Sequence, residues 1–228
     1  MRRILMATCL VGAMSLSGHA FAQAVATSAP ASTDTSAFVG KQAGTFMVRL
    51  RAIDVIPEDN NSKTSVGGHV DATNQMAPEV DFSYFITDNI AAELIAATTH
   101  HNIKAVGTAV GTVDVGSTMV LPPTVTLQYH FFPHDRFSPY LGAGMNVTFF
   151  YDTDPSRPTV TKFSLDNNVG AALQAGFDYN IDGHWFANFD VKQIFLETKA
   201  HMSTVLGKVS ATTNLDPLVI GVGIGYRF

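Results

Sequence analysis

The sequence predicts an all-β protein, an eight-stranded antiparallel transmembrane β-barrel, on three observations. Side chains alternate apolar and polar with period two from Gly44 onward, the connections between alternating segments are long and short in turn, and aromatic residues gather at one end of the apolar face. The 228 residues are 46% hydrophobic and only 14% charged, with a mean hydropathy of +0.15, a composition that buries a core and does not suit disorder. After the N-terminus no window approaches the roughly 18 uninterrupted apolar residues of a spanning helix, which excludes a helical membrane protein. The formal net charge is -5 and the basic residues never cluster, so the electrostatic footprint of a nucleic-acid binder is missing.

In chain order, Met1-Arg2-Arg3 is a short positive segment, 4–16 is an apolar run and Ala20-Phe21-Ala22 is an A-x-A site. Together they read as a secretory signal, residues 1–22, cleaved after Ala22. Cleavage removes Cys9, the one cysteine, and with it any disulfide, zinc-thiolate site or cysteine nucleophile. Residues 23–43 are mostly Ala, Ser and Thr without periodicity and are expected to be a flexible periplasmic N-terminal tail. The barrel is expected over 44–228.

One face is apolar in every segment. It takes the even positions of 46–52, 80–86 and 90–96, the odd positions of 121–131, 141–149, 169–179 and 185–195, and the even positions of 218–228, with Gln193 the plainly polar exception. The other face carries Arg49, Arg51, Glu79, Asp81, Ser83, Glu93, Thr124, Thr126, Gln128, His130, Asn146, Gln174, Asp178, Asn188, Asp190, Lys192 and Arg227. Alternation alone fits a water-soluble barrel of lipocalin type equally well. The connections decide: 57–75, 100–118, 151–166 and 199–214 are long, while 87–89, 133–137 and 180–184 are short, as in outer-membrane barrels. Phe46, Tyr84, Tyr129, Phe131, Phe177, Tyr179, Trp185, Tyr226 and Phe228 all fall at the tight-turn or terminal ends of the apolar face, as an interfacial girdle does. A narrow eight-stranded interior also has room for small and charged side chains rather than for the large apolar set. Closure follows because every backbone amide in hydrocarbon must be paired within the protein. An even strand number places both termini on the tight-turn side, in the periplasm, with outer-membrane lipid around the wall.

Four stretches then carry a resemblance: Thr87-Asp88-Asn89-Ile90-Ala91-Ala92-Glu93-Leu94-Ile95-Ala96-Ala97-Thr98, Leu121-Pro122-Pro123-Thr124, Ser138-Pro139-Tyr140-Leu141-Gly142-Ala143-Gly144, and Leu215-Asp216-Pro217 with the closing Gly225-Tyr226-Arg227-Phe228. In this order, over 44–228, they resemble the outer membrane protein W (OmpW) family of Gram-negative bacteria. The resemblance implies a monomeric barrel that lets small, mainly hydrophobic molecules cross the outer membrane by passive diffusion, with lateral exit through the wall. It implies no cofactor and no catalysis. Tyr226 and Phe228 match the aromatic ending that the barrel assembly machinery reads, after delivery by periplasmic chaperones. The long loops match the family poorly, so ligand choice and any use as a phage or bacteriocin receptor do not transfer with the resemblance.

Several residues are candidates for the ligand path. Pro78, Pro122, Pro123 and Pro217 sit where strands start down from the long-loop side; proline donates nothing to the ladder, so either the wall is weakest at this lateral rim or proline is simply tolerated at a first position. Arg49, Arg51, Lys192 and Arg227 face Glu79, Asp81, Glu93, Asp178 and Asp190 in the lumen, a near-balanced set that reads as a salt-bridged plug rather than an ion filter. Phe85, Ile95, Phe132 and Ile53 interrupt the polar lumen, either as apolar rings touched by a solute or as core filling. His69, His100, His101 and His201 read as solvated loop residues rather than a metal site, since neighbours such as His100 and His101 point opposite ways on an extended segment. Ser203 near His201 and His134 beside Asp135 are the best nucleophile and acid-base pairs available, and neither has a catalytic setting. The competing reading is a structural or adhesive surface barrel whose loops bind a partner while nothing passes through.

Overall fold

A computed structural model describes residues 39–58, 63–64, 68–108, 111–204 and 207–228. The expected export signal and the expected tail up to residue 38 lie outside the described residues. The described chain forms β1 (Phe46–Ile56), β2 (Lys63–Thr64), β3 (His69–Ala72), β4 (Gln75–Phe85), β5 (Ile90–Ala97), β6 (Thr99–Thr108), β7 (Gly111–Leu121), β8 (Thr124–His130), β9 (Phe137–Pro155), β10 (Val160–Leu165), β11 (Asn168–Asp182), β12 (Trp185–Phe195), β13 (Glu197–Thr204), β14 (Gly207–Asn214) and β15 (Leu218–Arg227). Eight of these close the barrel in the order β11-β12-β15-β1-β4-β5-β8-β9, and β9 pairs back onto β11. Every pairing is antiparallel, and the register of β1 against β4 sets Arg49 opposite Asp81 and Arg51 opposite Glu79.

The wall is inside out, as the alternation requires. Leu50, Val125, Leu127, Leu141, Met145 and Val222 are each more than half exposed, whereas Arg49, Arg51, Asp81, Glu93, His130 and Asn146 are at most 1% exposed. Such an outer surface is stable only against acyl chains. Glycines make room for the large interior side chains: Arg51 lies over Gly221 and Gly223, Tyr140 over Gly176, and the Phe186 ring occupies the space a side chain at Gly225 would need. At the tight-turn end the outer rings pack on one another, Trp185 with Tyr226 at 5.0 Å, Tyr226 with Phe228 at 4.8 Å and Tyr129 with Phe131 at 5.0 Å between centroids.

The structure departs from the sequence reading in the long connections, which are themselves β structure. On one side β3, β6, β7 and the upper half of β9 carry the wall upward; on the other, β10, β13, β14 and β2 form a separate four-stranded sheet. The reason lies in a reversal of polarity at constant pleat. Odd positions face inward along both β5 and β6, but inside they change from Glu93 and Ile95 to Ile103 and Ala105, and outside from Leu94 to exposed His100, Asn102 and Lys104. The outer solvent has changed from lipid to water, so the apolar set turns inward. Val70, Ile103, Ala105 and Val115 from one extension meet Val160, Phe163, Ala200 and Met202 from the other in a single cluster.

Two boundaries also shift. The fourth alternating segment is broken at Pro122-Pro123, between β7 and β8. Residues 39–43, expected to be the end of a flexible tail, instead fold into the tight-turn mouth of the barrel: Lys41 N donates to the Pro133 carbonyl, and Lys41 is 1% exposed.

Candidate functional site

From the tight-turn end outward the bore has three zones. The first is a stopper. Met47, Phe85, Ala91 and Phe186 pack as a buried apolar cluster, and beside it Lys41 enters from the chain preceding β1. Its ammonium donates to Ser138 Oγ and His130 Nδ1, both at 2.8 Å, and pairs with Asp178 Oδ2 at 2.8 Å, which uses all three of its N–H groups. His130 Nδ1 accepts, so the ring is neutral and its Nε2–H donates to Gln128 Oε1 at 2.9 Å. Arg227 donates to the Val39 carbonyl.

The second zone is an ionic belt. Arg49 meets Asp81 at 2.8 Å, Asp178 at 3.2 Å and Glu93 at 3.3 Å, and Arg51 meets Asp81 at 2.7 Å, Glu79 at 2.8 Å, Glu93 at 3.2 Å and Asp190 at 3.6 Å. Neutral groups add hydrogen bonds to three of the acids: Asn188 Nδ2 donates to Asp178 at 2.8 Å, Tyr140 OH and Gln174 Nε2 to Asp190 at 2.8 and 2.7 Å, and Thr126 Oγ1 to Glu93 at 2.9 Å, while Glu79 Oε1 and Asp81 Oδ2 have ion-pair contacts alone. These side chains are almost wholly buried, so the belt fills the bore at this level. A belt of this kind holds together only because its charges are mutually compensated, since an unpaired buried charge is costly.

The third zone is an apolar cup above the belt, walled higher up by residues of both extensions. Ile53, Ile95, Ile194, Leu196 and Val219 line its lower part, Ile103, Val115, Phe163, Ala200 and Met202 its upper part, and Glu79, Lys192 and a few threonines are polar points on it. His101 also faces the cup. Its Nδ1–H donates to the Thr73 carbonyl at 2.8 Å, so Nε2 accepts from Thr99 Oγ1 at 3.0 Å. Desolvation in the wall holds this imidazole below its ordinary titration range, against the weaker raising effect of the Thr73 bond.

The residues expected on the ligand path are thus divided among the zones. Arg49, Arg51, Asp81, Glu93 and Asp190 form the belt, Lys192 stands where belt meets cup, and Ile53 and Ile95 line the cup. Phe85 lies beneath the belt, so it fills the stopper and does not line the cup. Phe132 is not in the lumen: it is 61% exposed in the turn after β8, where its φ of 51° ends the alternation. Pro122 and Pro217 line the cup, but Pro78 lies within β4, three residues past its start, with its ring outward. Tyr226 and Phe228 close the outer aromatic girdle. The paired histidines find other partners, His134 with Asp88 at 3.4 Å and His201 with Asp166 at 3.3 Å. Among the described residues no group of three or more His, Asp or Glu could hold a metal. Lys41 and the upper cup were missed; the alternation of Thr99, His101, Ile103 and Ala105 was the available signal for the latter.

The ladder of the wall is interrupted beside the cup. The β8–β9 ladder stops at Thr124 opposite Asn146 and resumes at Leu121 opposite Phe149. Between them the prolines leave one backbone bond, Val147 N to the Pro123 carbonyl at 2.9 Å, supplemented by Asn146 Nδ2 to the Pro122 carbonyl at 3.0 Å. On its other edge β9 pairs with β11 only as far as Thr148, and no ladder joins it to β10 among the described residues.

A family model described as the OmpW family matches residues 42–228. An outer-membrane protein of Sinorhizobium fredii is 50% identical over 185 residues, 80% of each chain. Outer membrane protein W of Vibrio cholerae is 34% identical over 197 residues, covering 82% of this chain and 90% of that one. The solved structure of the outer membrane protein OprG of Pseudomonas aeruginosa is similar with a TM-score of 0.75 and 28% identity, over 84% of this chain and 99% of its own.

Proposed function

The chain belongs to the OmpW family of outer-membrane proteins, and from that premise we propose that it admits small, mainly hydrophobic molecules by passive diffusion, taking them into the apolar cup and releasing them sideways into the membrane. The observation that carries this reading is the change of lining along the bore, apolar above and sealed by compensated ions below. An apolar solute gains roughly 25 cal/mol for each Å² it removes from water in the cup. Passing straight down would require parting buried ion pairs, at several kcal/mol each. The thin wall at Pro122-Pro123 supports the sideways route, because its ladder has few bonds to break.

Uptake of an apolar reporter by cells carrying the wild-type barrel, compared with cells lacking it, tests the proposal. Replacement of Pro122 and Pro123 together by Val is expected to slow uptake several-fold, since valine restores the missing donors. Unchanged uptake would remove the lateral exit. No difference between cells with and without the wild-type barrel would remove uptake altogether and favour a surface barrel that binds a partner through its extensions.

A further inference from the structure

Two lysines are buried in the bore, and they are satisfied very differently. Lys41 spends its three N–H groups on partners at 2.8 Å. Lys192, 2% exposed, has Glu79 Oε2 at 3.7 Å and Asp190 Oδ1 at 3.8 Å, both beyond hydrogen-bond length, and its side chain lines the cup. A buried ammonium without hydrogen bonds is an expensive arrangement. The cup around it is mostly hydrocarbon, Ile53, Ile95, Ile194 and Val219 among it, with Glu79 and threonines such as Thr124 and Thr148 as its other polar points.

The charges indicate what would complete it. Among the described residues the interior of the bore buries five cationic side chains (Lys41, Arg49, Arg51, Lys192, Arg227) and five acidic ones (Glu79, Asp81, Glu93, Asp178, Asp190). A ligand anion would upset that balance beside the Glu79 carboxylate, whereas an uncharged oxygen can accept from the ammonium without changing it. We propose that the cup is a binding site for apolar molecules that carry one uncharged oxygen acceptor, as a ketone, ester or alcohol does. Lys192 Nζ donates to that oxygen and the hydrocarbon lies against the isoleucines above the belt. This site presupposes the uptake reading and adds the class of molecule that the cup prefers.

The test uses the mature barrel in phosphatidylcholine nanodiscs, with empty nanodiscs as the blank, and three radiolabelled probes of equal length: n-octane, 2-octanone and octanoate. Wild type is expected to bind 2-octanone at least about tenfold more tightly than n-octane, the size of a hydrogen bond to a charged group. In Lys192→Met that preference should shrink to about twofold or less while n-octane still binds. Should Lys192→Met not assemble, wild type alone decides by NMR: the lysine 13Cε signal of Lys192 should move with 2-octanone and stay with n-octane. Equal wild-type affinities for alkane and ketone, or octanoate binding most tightly, would overturn the assignment while leaving uptake standing. Binding of none of the three would overturn both.

Discussion

Arg51 is the hub of the belt, and its replacement by Met tests whether compensated charge holds the bore shut. The substitution removes contacts to Asp81, Glu79, Glu93 and Asp190 at 2.7, 2.8, 3.2 and 3.6 Å, together with the bond from Nη1 to Asn188 Oδ1 at 3.1 Å. It leaves five buried acids facing four buried cations. Met fills nearly the same length, so the cost is mainly that of an uncompensated buried carboxylate, about 3 to 5 kcal/mol. Pairing it with Glu79→Gln removes one carboxylate and should recover roughly half or more of that loss. Urea unfolding in lipid vesicles reads both variants through Trp185, the one tryptophan, which sits half exposed on the outer face at the tight-turn end. A single variant within about 1 kcal/mol of wild type, or a double variant less stable than the single, would refute the idea that mutual compensation holds these charges in place.

Val125 stands 56% exposed on the lipid-facing side of β8, so Val125→Arg should cost about 2 to 4 kcal/mol in the same unfolding assay if it lies near mid-depth; a variant as stable as wild type would reverse the assignment of faces. His101 supplies a pH test. Its pKa is depressed by burial, so its protonation favours the unfolded chain, and stability present above about pH 6.5 is lost as pH falls through the unfolded value. Between about pH 7 and pH 5 wild type should therefore lose more melting temperature than His101→Gln, and equal losses would show that the imidazole is not shielded.

What could be read from the chain depended on how locally each feature is encoded. The eight spanning segments were legible because two solvents impose opposite demands on alternate residues, and the belt residues followed from the same period. The extensions were hidden by the polarity reversal: Thr99 and His101 occupy inward positions that the barrel pattern gives to polar residues, while Ile103 and Ala105 two pleats on belong to a new core. Phe132 was misplaced by continuing the alternation through a turn that a positive φ ends. The burial of Lys41 could not be read at all, because its partners lie 89 to 137 residues further along the chain and only the closed barrel brings them together. The distance from Lys192 to Glu79 is likewise set by β4 and β12 meeting across the bore.

The segment before β1 has a consequence for biogenesis. Lys41 needs His130, Ser138 and Asp178, and the Val39 carbonyl needs Arg227, the penultimate residue of the polypeptide. Residues 39–41 can therefore lock only after the last strand has been added and the seam against β1 has formed. A barrel stalled before its last strand has no Arg227 to hold Val39, and so lacks this cork at its tight-turn mouth.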